Sequence, residues 1–353
     1  MDEKAEEVID VVAGTSRATC VICGGCKYVK PCVGMLSCNA CYKFLRRAVA
    51  LFRNPDDIRK KMDITSQYTP RFEKLQELIS SGMLSAYYDM TKSADVFLGR
   101  VLKHMDIMNL YRDQKFECTS VDNITPTQAI ENYRDPIRYS KKPSGGQMTC
   151  VQWCLLNQII SVDFLKKFEV VRHGFLSTVD AEKFLKGAYI RSMIFSTAWR
   201  NYHQKEECMR FPGGVDVFSD EVNANRGISE GLKTLIRGQL IAAMRRIKMD
   251  KEEFQLLSAI FAMTSAGTLS ANAQKLLTIH KTSYNNALVQ YCQLKAGSNW
   301  KSRFQDLLGI CTVVNSTFEK LSSLATLYMT LQPHSTEKEK FEHLTKFAEV
   351  QPE

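Results

Sequence analysis

FLKKFEVVRHGFLSTVDAEKFLKGAYIRSM (164–193) decides the fold, because it joins the end of one apolar-faced segment to the start of another. Residues 149–172 place Trp153, Leu156, Ile160, Phe164 and Phe168 on one face at three- and four-residue spacing. Residues 178–202 do the same with Phe184, Leu185, Ile190, Ile194 and Trp199. That period belongs to an α-helix and not to a strand.

Outward from this pair the helical reading continues. Residues 228–247 form the next helix. Asp250, with Glu253 three places on, makes a capping box ahead of Phe254, Leu257, Ile260 and Phe261. Two long helices follow at 270–296 and 299–331. Around Pro212-Gly213-Gly214, residues 209–222 read as a small hairpin or irregular turn. Upstream, residues 56–110 read as two or three helices. One carries Phe72, Leu75, Leu78 and Ile79; another carries Phe97, Val101, Met105 and Met108. Residues 119–149, with Pro126, Pro136, Pro143 and Gly145-Gly146, read as a linker or long loop. Several helices are apolar on more than one face, which predicts a mainly α, layered helical sandwich rather than an up-down bundle.

The chain has 353 residues, 44% of them hydrophobic and 24% charged, with a net charge of +9. No charge-free apolar run reaches the roughly 18 residues of a membrane span. The start is acidic (Asp2, Glu3, Glu6, Glu7), unlike an export signal. Cysteines in such a chain are read as metal ligands or thiols of a reducing compartment, nucleus or cytoplasm. Basic residues concentrate early: between Arg17 and Met62 there are ten Lys and Arg against Asp56 and Asp57.

That basic region also holds Cys20-x2-Cys23 and Cys38-x2-Cys41. Two such knuckles can close one tetrahedral zinc site, since each pair sets two sulfurs on one side of the ion. Cys26 and Cys32 lie in the intervening loop, and either is an alternative to one of the four. The segment after Cys38 is an amphipathic helix. Cys41, Phe44, Leu45, Ala48, Val49 and Phe52 share one stripe; Asn39, Tyr42, Lys43, Arg46, Arg47 and Arg53 share the other. Such a polar stripe suits a major groove, where Lys and Arg meet phosphates and guanine edges.

GMLSCNACYKFLRRAV (34–49) resembles the first zinc module of nuclear hormone receptors. The stretch 164–193 resembles the signature of their ligand-binding domain, in the divergent form common among nematode receptors. Phe164, Lys166, Phe175, Asp180, Phe184, Leu185 and Lys186 match it, with Ala181 departing. MDKEEFQLLSAIF (249–261) and LTIHKTSYNNALVQY (277–291) resemble later helices of that domain.

The resemblance implies a single treble-clef-like zinc module followed by a three-layer α-helical sandwich. Its domains are a flexible leader (1–19), a truncated zinc-binding DNA-binding module (20–53), a helical hinge with the first helices of the next domain (54–148), and a ligand-binding-like helical domain (149–353). Cys20, Cys23, Cys38 and Cys41 would bind zinc. Asn39, Ala40 and Tyr42 would discriminate bases, and Lys43, Arg46 and Arg47 would meet bases or phosphates. Lys166 and Lys186 would hold the ends of a coactivator helix. A lipophilic ligand would lie among Trp153, Leu156, Ile160, Met193, Phe195 and Met329. Residues 338–350, with Phe341, Leu344, Phe347, Glu342 and Glu349, stand where the family has its final helix.

Two departures matter. The Cys23–Cys38 loop is a residue longer than is usual in the family, and the next cysteine after Cys41 is Cys118, so the family's second zinc module is absent. No glycine-rich phosphate loop or His-Glu-x-x-His motif appears, and Cys150, Cys154 and Cys311 read as buried, inert thiols. The implied function is a nuclear, zinc-dependent, DNA-binding transcription factor, not an enzyme. Its partners would be DNA, coregulator peptides and a second receptor chain through helix 299–331. The alternative is a receptor-derived interaction or corepressor module that no longer binds DNA.

Overall fold

The computed structural model describes residues 20, 29–32, 35–43, 94–121, 124–142, 148–264 and 268–332. The chain divides into two compact units, Met1–Ile79 and Ser80–Glu353. In the first, strands β1 (Val29–Cys32) and β2 (Met35–Cys38) pair antiparallel, Val29 opposite Cys38 and Cys32 opposite Met35. Residues 39–43 turn directly into a helix. The predicted helix carrying Phe72, Leu75, Leu78 and Ile79 lies outside the described residues, as does the stretch 338–350.

The second unit is a sandwich of helices. Its elements are α1 (Ala94–Cys118), α2 (Pro126–Glu131), α3 (Cys150–Lys166), α4 (Glu169–Arg172) and α5 (Thr178–His203), followed by α6 (Asp220–Ala224), α7 (Glu230–Ile247), α8 (Lys251–Ala262), α9 (Ala271–Ala296) and α10 (Trp300–Leu331). One outer layer is α1 and α3, the middle is α5, α8 and α9, and the other outer layer is α7 and α10. Helix α5 is central, with most of its residues from Asp180 to Asn201 buried. Its Phe195 ring sits 5.0 Å from Phe254 and 4.9 Å from Phe261, and Trp199 stacks on Phe254 at 4.5 Å. Of the predicted α1 stripe, Val101, Met105 and Met108 are buried and Phe97 is half-buried.

Two expectations are corrected. The segment 119–149 is not a bare linker. Strands β3 (Thr119–Ser120) and β4 (Ser140–Lys141) pair antiparallel, and α2 lies between them behind a Thr125–Gln128 capping box. Tyr133 and Met148 are buried, so the segment packs as part of the unit. Residues 149–172 are not one helix either. The chain leaves α3 at Lys167, and Phe168 takes an extended conformation before α4. Phe168 meets Phe164 edge-on at 5.5 Å, which places both rings in the core.

The caps show why the helices start where they do. Thr149 with Gln152, and Asp250 with Glu253, form reciprocal capping boxes. Asp180 does more than cap. Ser177 Oγ donates to its Oδ2 at 2.7 Å, Ser270 N donates to Oδ1 at 2.9 Å, and Ser270 Oγ donates to Oδ2 at 2.8 Å. One carboxylate therefore joins the start of α5 to the start of α9, 90 residues along the chain. Burial works to raise its pKa, but these bonds hold it below the ordinary 3.8. Asp180→Ala is expected to cost on the order of 3 kcal/mol in urea unfolding. The Asp180 contribution is fully present above about pH 4 and disappears as pH falls through the lowered folded pKa. Equal stability of the variant and the wild type at neutral pH would remove this role.

Candidate functional site

Three features of the described residues can do chemistry or recognition. The first is a sulfur cluster. The Sγ atoms of Cys20, Cys38 and Cys41 lie within 4.8 Å of one another, a spacing that lets them share one metal ion. Cys20 and Cys41 are buried and Cys38 half-buried. The hairpin delivers Cys38 at the end of β2, and the helical turn that follows brings Cys41 back beside it. The Cys41 amide donates to Cys38 Sγ at 3.4 Å, which fixes the Cys38 side chain beside the first helical turn. Asn39, Ala40 and Lys43 are exposed and Tyr42 half-buried. Cys23, Cys26, Arg46 and Arg47 lie outside the described residues.

The second feature is a partly open cavity of about 100 Å³ between α3, α5, the 209–219 segment, α7 and α10. Cys150, Val151, Cys154, Asn157 and Gln158 line it from α3; Met193, Ile194 and Thr197 line it from α5. Phe211, Phe218, Ile236 and Leu321 close it. Of the six residues predicted for a pocket, Met193 lines this one. Trp153, Leu156 and Ile160 face a neighbouring side of α3 and pack with Phe116, Met148 and Phe211. Phe195 is core, between Phe254 and Phe261, and Met329 is half-buried on α10 away from the lining.

One wall of the cavity is polar and already organised. Asn157 Nδ2 donates to Thr197 Oγ1 at 2.7 Å, and Arg200 Nη2 donates to Asn157 Oδ1 at 2.9 Å. Burial over the Phe116 ring, 3.7 Å away, lowers the Arg200 pKa, while Asp113 works to raise it. The lid segment is pinned from both sides. Asn201 exchanges bonds with the Arg210 backbone, and Arg237 grips Asp216 through Nε at 3.1 Å and Nη2 at 2.9 Å. Residues 209–217 form the irregular turn expected there, with an Arg210–Asp216 bridge around Pro212–Gly214. Sequence reading missed Asn157, Thr197 and Arg200. The signal was available: Asn157 and Thr197 stand among the apolar residues that their helices bury.

Cys150 and Cys154 are half-buried at the cavity wall, not sealed in the core. Cys311 is half-buried too, and burial pushes its thiol up to about 11, which keeps it protonated and unreactive at neutral pH.

The third feature is the lysine pair. Lys166, at the end of α3, donates to the Asp135 carbonyl at 2.6 Å, and burial lowers its pKa against the pull of Asp163. Lys186 is half-buried on α5. On α10 and α7, Leu308, Leu327, Leu331 and Leu235 expose large apolar side chains. Among the described residues no helix is long and apolar enough to cross a membrane.

Comparison with known proteins gives the same direction from independent ground. A family model, the ligand-binding domain of nuclear hormone receptor, matches residues 139–329. Nuclear hormone receptor family member nhr-9 of Caenorhabditis elegans is 31% identical over 331 residues, covering 91% of this chain and 94% of that protein. Family member nhr-27 of the same organism is 29% identical over 326 residues, 90% of each chain. Family member nhr-167 is 27% identical over 318 residues, 86% of this chain and 90% of the relative.

Proposed function

The chain belongs to the nuclear hormone receptor family, and from that membership we propose that it is a nuclear transcription regulator, not an enzyme, that binds DNA through a zinc-held N-terminal module. The observation that carries the DNA reading is the convergence of the Cys20, Cys38 and Cys41 sulfurs at the start of a helix that exposes Asn39, Ala40 and Lys43. Cys20, Cys23, Cys38 and Cys41 would hold the zinc, which supplies the fixed geometry a 24-residue segment lacks the apolar core to supply alone (roughly 40 residues is the usual lower bound). Asn39, Ala40 and Tyr42 would face base edges. Lys43, Arg46 and Arg47 would meet bases or phosphates.

Selection from a random duplex pool with the full chain tests this reading. Enrichment of a short half-site is expected, and Arg46→Ala with Arg47→Ala should weaken binding at least tenfold. A pool indistinguishable from the input would contradict it. That outcome would leave the second reading, an interaction module without DNA binding, which the missing cysteines between Cys41 and Cys118 favour.

The helical domain would take a small, mostly apolar ligand with one polar group directed at Asn157 and Thr197. About 100 Å³ holds fewer atoms than the cavities of roughly 300 Å³ or more that enclose drug-sized molecules. A steroid-sized occupant therefore requires the lid to open. Coregulator helices would dock at Lys166 and Lys186, with Lys166 first leaving the Asp135 carbonyl. Lys186→Ala is expected to weaken an amphipathic leucine-rich peptide about fivefold by fluorescence anisotropy. Unchanged affinity would leave Lys186 a surface residue. The exposed leucines of α10 and α7 suit pairing with a second receptor chain.

A further inference from the structure

Two thiols stand on the wall of the apolar cavity. Cys150 and Cys154 both line it from α3, at positions i and i+4 on one face of that helix, and both are half-buried. Gln158, the next residue in the same row, lines the cavity too, and its Nε2 donates to Cys154 Sγ at 3.4 Å. Met193 of α5 and Met209 of the lid segment line the same space. Sulfur therefore borders the cavity from three elements, as two thiols and two thioethers. Its lining includes no carboxylate and no imidazole.

Helix geometry decides what the thiol pair can do. Residues four apart on a helix have Cβ atoms about 5–6 Å from one another. A disulfide needs roughly 3.5–4.5 Å, so a direct S–S bond would distort the first turn of α3. A single bridging atom suits the gap, because two metal–sulfur bonds of about 2.3 Å add the missing reach. The donors also select the metal. Thiolates and thioethers favour soft ions, whereas Mg²⁺ and Ca²⁺ take oxygen ligands. Charge narrows the choice further. Two thiolates neutralise a divalent ion, so the complex adds no net charge to an apolar wall.

We propose that Cys150 and Cys154 chelate one soft divalent metal ion at the cavity wall, with Met193 and Met209 as the thioethers available to complete its coordination. Binding breaks two S–H bonds, forms two metal–sulfur bonds and releases two protons to solvent. The ion takes space that an apolar ligand would otherwise fill, so the two compete. The site shares no residue with the Cys20, Cys38 and Cys41 cluster, and its failure leaves the DNA-binding reading untouched.

Cd²⁺ is the probe, added to the full chain, with the excess removed by gel filtration before the bound metal is counted. Cys150→Ser and Cys154→Val are each expected to hold about one Cd²⁺ per chain fewer than the wild type, and to lose the matching thiolate-to-metal absorption in the ultraviolet. Cys41→Ser acts on the N-terminal cluster and should leave this ion in place, which separates the two sites. In the wild-type chain Cd²⁺ should raise the thermal midpoint of the helical unit, and Mg²⁺ at the same concentration should not. Far-ultraviolet circular dichroism checks that each variant folds. Equal cadmium content in the wild type and Cys150→Ser would overturn the proposal. A wild-type midpoint that Cd²⁺ leaves unmoved would overturn it as well, and that measurement decides the matter even where neither variant folds.

Discussion

Arg303→Ala is expected to destabilise the helical unit by about 3–5 kcal/mol, the loss typical when one partner of a buried ion pair is removed. Its partner, Glu253, has a side chain with 0% exposure. Arg303 Nε donates to Glu253 Oε1 at 2.7 Å, and Nη2 donates to Oε2. The same guanidinium reaches the Ile247 and Lys248 carbonyls, where α7 ends in a left-handed Lys248 with φ of 48°. Glu253 also accepts from the Asp250 amide at 3.0 Å as the capping-box acceptor of α8, and from Lys295 at 3.2 Å. One arginine thus joins the end of α7, the start of α8 and the first turn of α10. Its hydrogen bonds to Glu253 raise its own pKa. Truncation leaves a fully buried carboxylate with one lysine and one amide. A domain with a total stability of about 5–15 kcal/mol loses a large fraction of it. Urea unfolding followed by far-ultraviolet circular dichroism measures the change. Lys295→Ala, with its lysine 37% exposed, should cost about 1 kcal/mol or less. A loss below about 1 kcal/mol for Arg303→Ala would show that the buried pair contributes no more than an exposed one.

Cys41→Ser should have the largest effect on the first unit. Cys41 is 0% exposed, and its amide holds Cys38 Sγ at 3.4 Å. A serine hydroxyl is a poor zinc ligand, and zinc contributes about 10–16 kcal/mol of apparent binding free energy to small zinc-dependent folds. The expected result is a fall in zinc content from about one per chain to near zero, with residues 20–43 becoming protease-sensitive. The helical unit should keep its own unfolding transition, because its core is built from Ser80–Glu353. Zinc retained at wild-type stoichiometry would show that Cys41 is not a ligand. The loop thiols Cys26 and Cys32 would then become the residues to test.

Much of the helical unit was legible because its stripes are strong. Phe184, Leu185, Ile190 and Ile194 repeat at helical spacing, and all four are buried. Asp250 and Glu253 announced their capping box, which forms at 2.8 and 3.0 Å. The failures have a common cause. Pro126 and Pro136 suggested a loop, yet a proline at the first turn of a helix is compatible with α2, and the segment is held by side chains whose partners are distant in sequence. The break at Lys167–Phe168 was hidden because Phe168 continues the apolar spacing while serving a turn.

The lining of the cavity was not legible for a related reason. An apolar stripe locates what a helix buries, not what it leaves unfilled. Trp153, Leu156 and Ile160 fill space, and the cavity lies beside less conspicuous residues, Cys154, Asn157 and Thr197. Asn109 and Arg112 were likewise invisible: both are buried on α1, where periodicity marks Phe97, Val101, Met105 and Met108. Arg112 is tolerated there because its guanidinium lies 4.6 Å from the Phe164 ring centroid.

Salt-titrated DNA binding by the full chain, with and without a zinc chelator, tests the central claim most directly. Zinc-dependent recognition predicts that log affinity falls linearly with log salt, with a slope of about −0.9 per phosphate contacted, and that chelation abolishes sequence preference. Affinity that ignores both salt and chelator would contradict a zinc-held basic helix reading DNA.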